Sequence, residues 1–184
     1  MVGTDRRELL RSVVLAWLPW ADVDDVVVSS AAGSWENVVR AQIAVHGYGR
    51  PEGKDGKVWT LAGLEPVHSV FPHRFIGTLA TTYASRGARQ STLAIEVPLQ
   101  YSVHRVVTLP AGATVVRAPA SIRIQDPHLA ASRTLTANGA TIEDSFVLSV
   151  PTGTVAADEY QAFVQKVQAV DDAFMAGTRL KAKP

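Results

Sequence analysis

Five histidines offer the side chains best suited to chemistry in this chain: His46, His68, His73, His104 and His128. "HSVFPHR" places His68 and His73 five apart around Pro72. That is neither the i,i+4 spacing of one helix face nor the i,i+2 spacing of one strand face. Two imidazoles would meet on a metal only through a particular loop, and no carboxylate lies within the motif. His68 and His73 are thus candidate metal ligands, set against a reading as ordinary loop residues. His104 lies between Val103 and Arg105 in "YSVHRVVT". Strand alternation turns it away from Val103 and Val107, toward solvent.

Other chemistries find less. Cysteine is absent, which removes thiol nucleophiles, disulfides and thiolate metal sites together. No G-x-S-x-G is present, and the Gly-Ser of "AAGSWEN" lacks that elbow pattern. "YGRPEGKDGK" is glycine-rich, but Val58 and Trp59 follow Lys57 where a phosphate loop needs Ser or Thr and a helix. Its pattern suits a solvated hairpin tip. Acidic neighbours occur at Asp24-Asp25, Glu143-Asp144, Asp158-Glu159 and Asp171-Asp172. Adjacent strand residues face opposite ways, so none forms a ready acid–base pair, and solvated faces are expected. No catalytic residue, cofactor site or bound metal is assigned on this basis.

The elements that would carry these residues are mostly strands. An N-terminal helix is expected in "TDRRELLRSVVLAWLPWA", with Asp5 and Glu8 as a capping pair and Pro19 as its stop. Leu9, Leu10, Val13, Val14 and Trp17 form its apolar face. "VDDVVVSS" then reads as a strand. "WENVVRAQIAVHGYG" and "VWTLAGL" are expected to pair as a hairpin with a long polar tip. "HRFIGTLATTYASRG" has helical spacing at Phe75, Leu79 and Tyr83, with Gly87 as a candidate cap.

From Ser91 to Val150 the pattern is β throughout, with Pro98, Pro110, Pro119, Pro127 and Pro151 ending runs, where a sheet tolerates them. Asn138-Gly139 marks a hairpin, and "YSVHRVVTLPAGATVV" reads as another. A C-terminal helix carries the stripe Tyr160, Phe163, Val164, Val167, Val170 and Phe174. Asp158 and Glu159 suit its positive end, and Gly177 its C-cap. The expected fold is therefore mainly β (α+β). It is an antiparallel, sandwich-like arrangement with an N-terminal helix and a long C-terminal helix packed on a sheet. A soft boundary near Pro66 to Pro72 suggests residues 1–66 (helix and hairpin) and 67–184 (sandwich and C-terminal helix), or one continuous domain.

Composition narrows the partners. The 184 residues are 47% apolar with a formal net charge of +1, and basic residues are scattered. That is not the footprint of a nucleic-acid binder. No apolar run is long enough for a spanning helix, and "LLRSVVLAWLPWA" lacks the form of a signal peptide, so a soluble chain is expected.

The order of motifs resembles the C-terminal, non-catalytic β-rich region of bacterial transglutaminase-like proteins. There a papain-like core is flanked by β-rich domains of uncharacterised role. The resemblance rests on "DRRELLRSVVLAWLPWADVDDVVV", "ENVVRAQIAVHGYGRPEGKDGKVWTL" and "LATTYASRGARQSTLAIEVP". The strand leading into Leu-Pro-x-Gly in "YSVHRVVTLPAGATV" follows. A helix with Tyr160, Phe163, Val170, Asp171 and Ala173 completes it. The family's Cys-His-Asp residues belong to the core and match no position here. The resemblance implies the non-catalytic tail of such a protein, or a stand-alone relative of it, with no more said of function than accessory placement. The first reading is then a non-enzymatic interaction or structural domain of a bacterial protein that is envelope-associated rather than cytoplasmic, with another protein or an adjacent domain of the same polypeptide as its partner. An apolar-ligand binder with a cavity between sheet and helix is the second reading, and a His68/His73 metalloenzyme the third.

Overall fold

The computed structural model describes residues 8, 9, 11, 12, 15, 22–30, 39–46, 49–52, 54, 56–61, 63–64 and 78–182. The chain divides into two compact units, Met1–Arg50 and Pro51–Pro184. In the first, Glu8, Leu9, Arg11, Ser12 and Leu15 have helical backbone where the N-terminal helix is expected; Asp5, Leu10, Val13, Val14, Trp17 and Pro19 lie outside the described residues. Leu9, assigned to the apolar face, is instead 63% exposed. Strands β1 (Asp22–Ser30) and β2 (Val39–His46) pair antiparallel, with an irregularity between Val23 and Asp25. Where a hairpin of "WENVVRAQIAVHGYG" with "VWTLAGL" is expected, β2 pairs among the described residues with β1, and the Val58–Leu61 strand lies between Arg50–Glu52 and Thr178–Lys181.

The second unit builds on β3 (Arg50–Glu52) and β4 (Val58–Leu61), which flank the polar tip. After them come α1 (Leu79–Tyr83), β5 (Leu93–Ile95), β6 (Leu99–Thr108), β7 (Thr114–Arg117) and β8 (Ile122–Asp126). The rest is β9 (Leu129–Asn138), β10 (Thr141–Val150), β11 (Gly153–Val155), α2 (Tyr160–Met175) and β12 (Thr178–Lys181). One sheet has the order β6-β10-β9-β8, another β3-β4-β12-β7, and β11 pairs with β5. The fold is mainly β with antiparallel sheets and packed helices, as expected.

The first of these sheets shows strict two-residue alternation. Leu129, Ala131, Ile142, Phe146, Leu148 and Val150 face inward and are buried. The α2 stripe covers them: Tyr160, Phe163, Val167, Val170 and Phe174 are each at most 5% exposed. Tyr101, Phe146 and Phe174 pack as an aromatic cluster, the last two with centroids 4.9 Å apart. Edge-on and tilted ring contacts of this kind add to the area burial itself.

Two turns clarify the β-run. Asn138 pairs with Thr141 across a two-residue loop, the hairpin the dipeptide predicts. Leu-Pro-Ala-Gly, in contrast, does not close a hairpin. The Ala113 amide donates to the Pro110 carbonyl at 3.0 Å, with Gly112 at φ 76°, a type II turn. The turn carries the chain from β6 in one sheet to β7 in the other. Leu109 before it is buried and donates its N–H to the Ala140 carbonyl at 2.7 Å.

The helix ends also differ from expectation. Among the described residues α1 is five residues long. Thr78 caps it by accepting from the Thr81 amide, and it ends at Ala84 rather than Gly87. Phe75 lies outside the described residues. Helix α2 ends at Ala176 in extended conformation, so Gly177 is not a left-handed cap. A Cβ at Gly177 would sit 2.7 Å from the Leu61 carbonyl oxygen, and one at Gly63 would sit 2.5 Å from that of Met175. Both glycines let backbone approach backbone where β4 meets the segment joining α2 to β12.

Candidate functional site

His68 and His73 lie outside the described residues, so their loop is not placed. Among the described residues no three His, Asp or Glu side chains gather closely enough to hold a metal. His46 closes β2 opposite Asp22. His128 sits in the β8–β9 turn, edge-on to Phe163, with Nε2 3.8 Å from a Glu159 carboxylate oxygen. His104 is exposed on β6, as alternation predicts, and its Nδ1 is 2.9 Å from Ser145 Oγ on β10. A serine beside a histidine invites comparison with an activated nucleophile. Here the contact is a cross-strand pair on an open sheet face, the kind that fixes register.

The inner face holds a charged cluster that sequence reasoning missed. Asp144, expected on a solvated face, is fully buried. Its Oδ1 accepts from Arg133 Nε at 2.9 Å, and its Oδ2 from Arg133 Nη2 at 2.7 Å and Arg105 Nη2 at 2.6 Å. Arg133 Nη1 also donates to the carbonyls of Ala173 and Ala176. That guanidinium therefore meets the negative end of α2. Arg105 Nη1 reaches the Gly63 carbonyl at 3.3 Å. Burial pushes the Asp144 carboxyl up. The hydrogen bond from Arg133 and the charges of Arg105 and Arg133 outweigh it and hold it below the usual carboxylate range. The visible signal was parity, because Ile142, Phe146 and Leu148 share a strand face with Asp144.

Asp171 is the second missed residue. It faces inward on α2, and its two oxygens accept from the Leu79 and Ala80 amides, each at 2.8 Å. A helix carboxylate thus caps the short helix α1 across more than ninety residues of chain. Asp144 and Asp171 both serve the fold.

The opposite face of the same sheet is of another kind. Ser102, His104 and Val106 of β6 point outward, with Ser145, Val147 and Ser149 of β10. Ala130, Ser132 and Thr134 of β9 continue this surface. Val106 is 56% and Val147 53% exposed. Arg123 stands on the edge strand β8, and Glu143 is the cross-strand partner of Val106 toward the hairpin tip. The exposed Val147 is flanked by Ser145 and Ser149 on its own strand and by Ser102 and Ser132 on the neighbouring strands, so an apolar side chain stands among small hydroxyl groups on the polar-out face.

The interval between sheet and α2 is filled by protein, as the 4.9 Å Phe146–Phe174 contact and the burial of Val167 and Val170 show. No helix among the described residues is long and apolar enough to cross a membrane.

Residues 68–176 match DUF3858, described as a domain of unknown function with solved structure. A crystal structure from Parabacteroides distasonis ATCC 8503, described as a "putative protease", is similar at 17% identity with a TM-score of 0.45. The match covers 52% of this chain and 19% of that one. No curated protein matches.

Proposed function

We propose that this chain, which belongs to the DUF3858 family by a match over more than half its length, is a non-catalytic accessory domain that docks against a neighbouring protein domain. The observation that carries the reading is the outer face of β6-β10-β9-β8. Interface centres are depleted of charge and ringed by polar groups. This face has the exposed Val147 among Ser102, Ser132, Ser145 and Ser149, with His104 and the Val106–Glu143 pair toward the hairpin tip and Arg123 on the edge strand β8. The resemblance to the tails of transglutaminase-like proteins favours, as the proposed partner, a papain-like core of the same polypeptide.

The buried acids and bases support the same reading. Asp144, Arg133, Arg105 and Asp171 are engaged with one another or with backbone, and His104 is exposed on the sheet face beside Ser145. An apolar-ligand cavity gains no support from the sheet–helix interval, where aromatic rings already meet.

The test is direct. The reading frame should encode a cysteine-containing papain-like core before Asp5. That core, produced separately, should bind the folded chain in calorimetry. Val147→Arg should weaken binding by roughly tenfold or more while leaving the thermal melt unchanged. A reading frame without such a core, or binding that Val147→Arg leaves intact, would overturn the proposal.

A further inference from the structure

We infer that Asn138 is a site of spontaneous chemical modification, losing its side-chain amide to give aspartate or isoaspartate. The chain has two asparagines, Asn37 before Val38 and Asn138 before Gly139. In this reaction the backbone nitrogen of the following residue attacks the asparagine Cγ. A new N–Cγ bond closes a five-membered succinimide, the bond to the side-chain nitrogen breaks, and that nitrogen leaves as ammonia with the backbone proton. Water then opens the ring. Attack at Cγ gives aspartate, and attack at the main-chain carbonyl gives isoaspartate, whose backbone runs through Cβ and Cγ. The net exchange is an amide and water for an acid and ammonia, with no change of oxidation state. A β-branched residue after the asparagine hinders the attack, and glycine does not.

The hairpin presents the dipeptide for this. Asn138, Gly139 and Ala140 are all exposed. Gly139 has φ 58°, and no atom lies within 4 Å of the position its Cβ would occupy, so no neighbouring group crowds the attacking residue on that side. Asn138 and Thr141 form the last pair of the β9–β10 ladder. The final pair is the first to fray, which frees the rotation that ring closure needs. The amide of the first residue in a two-residue loop lies outside the ladder.

The product would alter the tip. Asn138 is an outward position of β9, one diagonal step from Glu143, so either product adds a carboxylate beside an existing one. Isoaspartate also inserts a carbon into the main chain between residue 138 and Gly139, one residue before Ala140, whose carbonyl accepts from Leu109. That anchor of the Leu-Pro-Ala-Gly turn should loosen.

The folded chain, aged at mildly alkaline pH and body temperature, is assayed by intact mass and peptide mapping. Isoaspartate is counted by enzymatic methylation from S-adenosylmethionine. A synthetic peptide of residues 134–143 is aged alongside. Residue 138 should convert to both acids, Asn138→Gln should keep its mass, and the Leu109 amide should exchange several-fold faster in aged protein. An intact Asn138 in folded protein, after the peptide has fully converted, would overturn the inference. Unchanged exchange at Leu109 would overturn its structural consequence.

Discussion

Replacing Asp144 with Asn keeps the side chain's shape and removes its charge, leaving two guanidinium groups facing a neutral amide. Arg133 has a fully buried side chain and Arg105 one that is 10% exposed, so water cannot replace the lost carboxylate. The amide also brings an N–H₂ donor toward groups that only donate. Breaking a buried pair by removing one partner costs about 3–5 kcal/mol. That is a large part of the ~5–15 kcal/mol a domain has. Asp144→Asn should therefore lower Tm by about 10 °C or more and move the urea midpoint accordingly. The companion is Arg133→Met with Arg105→Met and Asp144→Leu. Replacing a buried ionic group as a whole by apolar side chains is often neutral or stabilising, so this triple variant should recover most of the loss. A loss below about 1 kcal/mol for Asp144→Asn, the range of exposed pairs, would show that water reaches the cluster and would refute the argument.

Acid should destabilise the fold through the same group. The folded Asp144 carboxyl lies below its ordinary value of 3.8, so its contribution is complete above that value and disappears as pH falls through the lower, folded one. Asp126, lowered by Lys166 and the His128 amide against its partial burial, adds in the same direction. Melts across this range should show an acid limb that flattens in Asp144→Asn. Gly177→Ala should cost about 1–3 kcal/mol in urea unfolding, because its methyl meets the Leu61 backbone oxygen and no side chain can move aside. Asp171→Ala should cost about 0.5–2 kcal/mol, the range for a lost helix cap, and should speed hydrogen exchange at the Leu79 and Ala80 amides.

Local patterns made most strands and α2 legible. Alternation located His104 outside and Val103 inside, and the period of the Tyr160–Phe174 stripe predicted the buried face of α2. What failed depends on contacts distant in sequence. Whether β7 returns beside β6 is not written in Leu-Pro-Ala-Gly, since a type II turn can close a hairpin or redirect the chain. Here β12, more than sixty residues later, pairs with β7. Gly177 looked like a helix cap because the Leu61 carbonyl it must clear comes from β4. Asp144 and Asp171 were read by type, as acids with acidic neighbours, when their faces were legible from Phe146, Leu148, Val170 and Phe174. Their partners were not, because Arg133 and the α1 amides lie on other elements.

The sheet β6-β10-β9-β8 carries one ion cluster within its buried, otherwise apolar face, and Val147 stands among serines at the middle of its exposed face. The two facts have separate physical causes. Inside, one carboxylate balances two guanidinium groups, and those groups reach carbonyls at the end of α2 and at Gly63. This fixes where the helix terminus lies on the sheet, a register that apolar packing alone sets less sharply. Outside, if the face docks as proposed, charge at its centre would hold water that docking has to displace. The consequence is that the two faces should respond independently. Asp144→Asn should lower the melt while whatever protein remains folded still docks. Val147→Arg should weaken docking by roughly tenfold or more at an unchanged melt. Effects on opposite faces of one sheet, without shared partners, should add within about 0.5 kcal/mol. A doubly substituted chain whose losses greatly exceed that sum would mean that the cluster shapes the outer face, and that stability and docking are one property of the sheet.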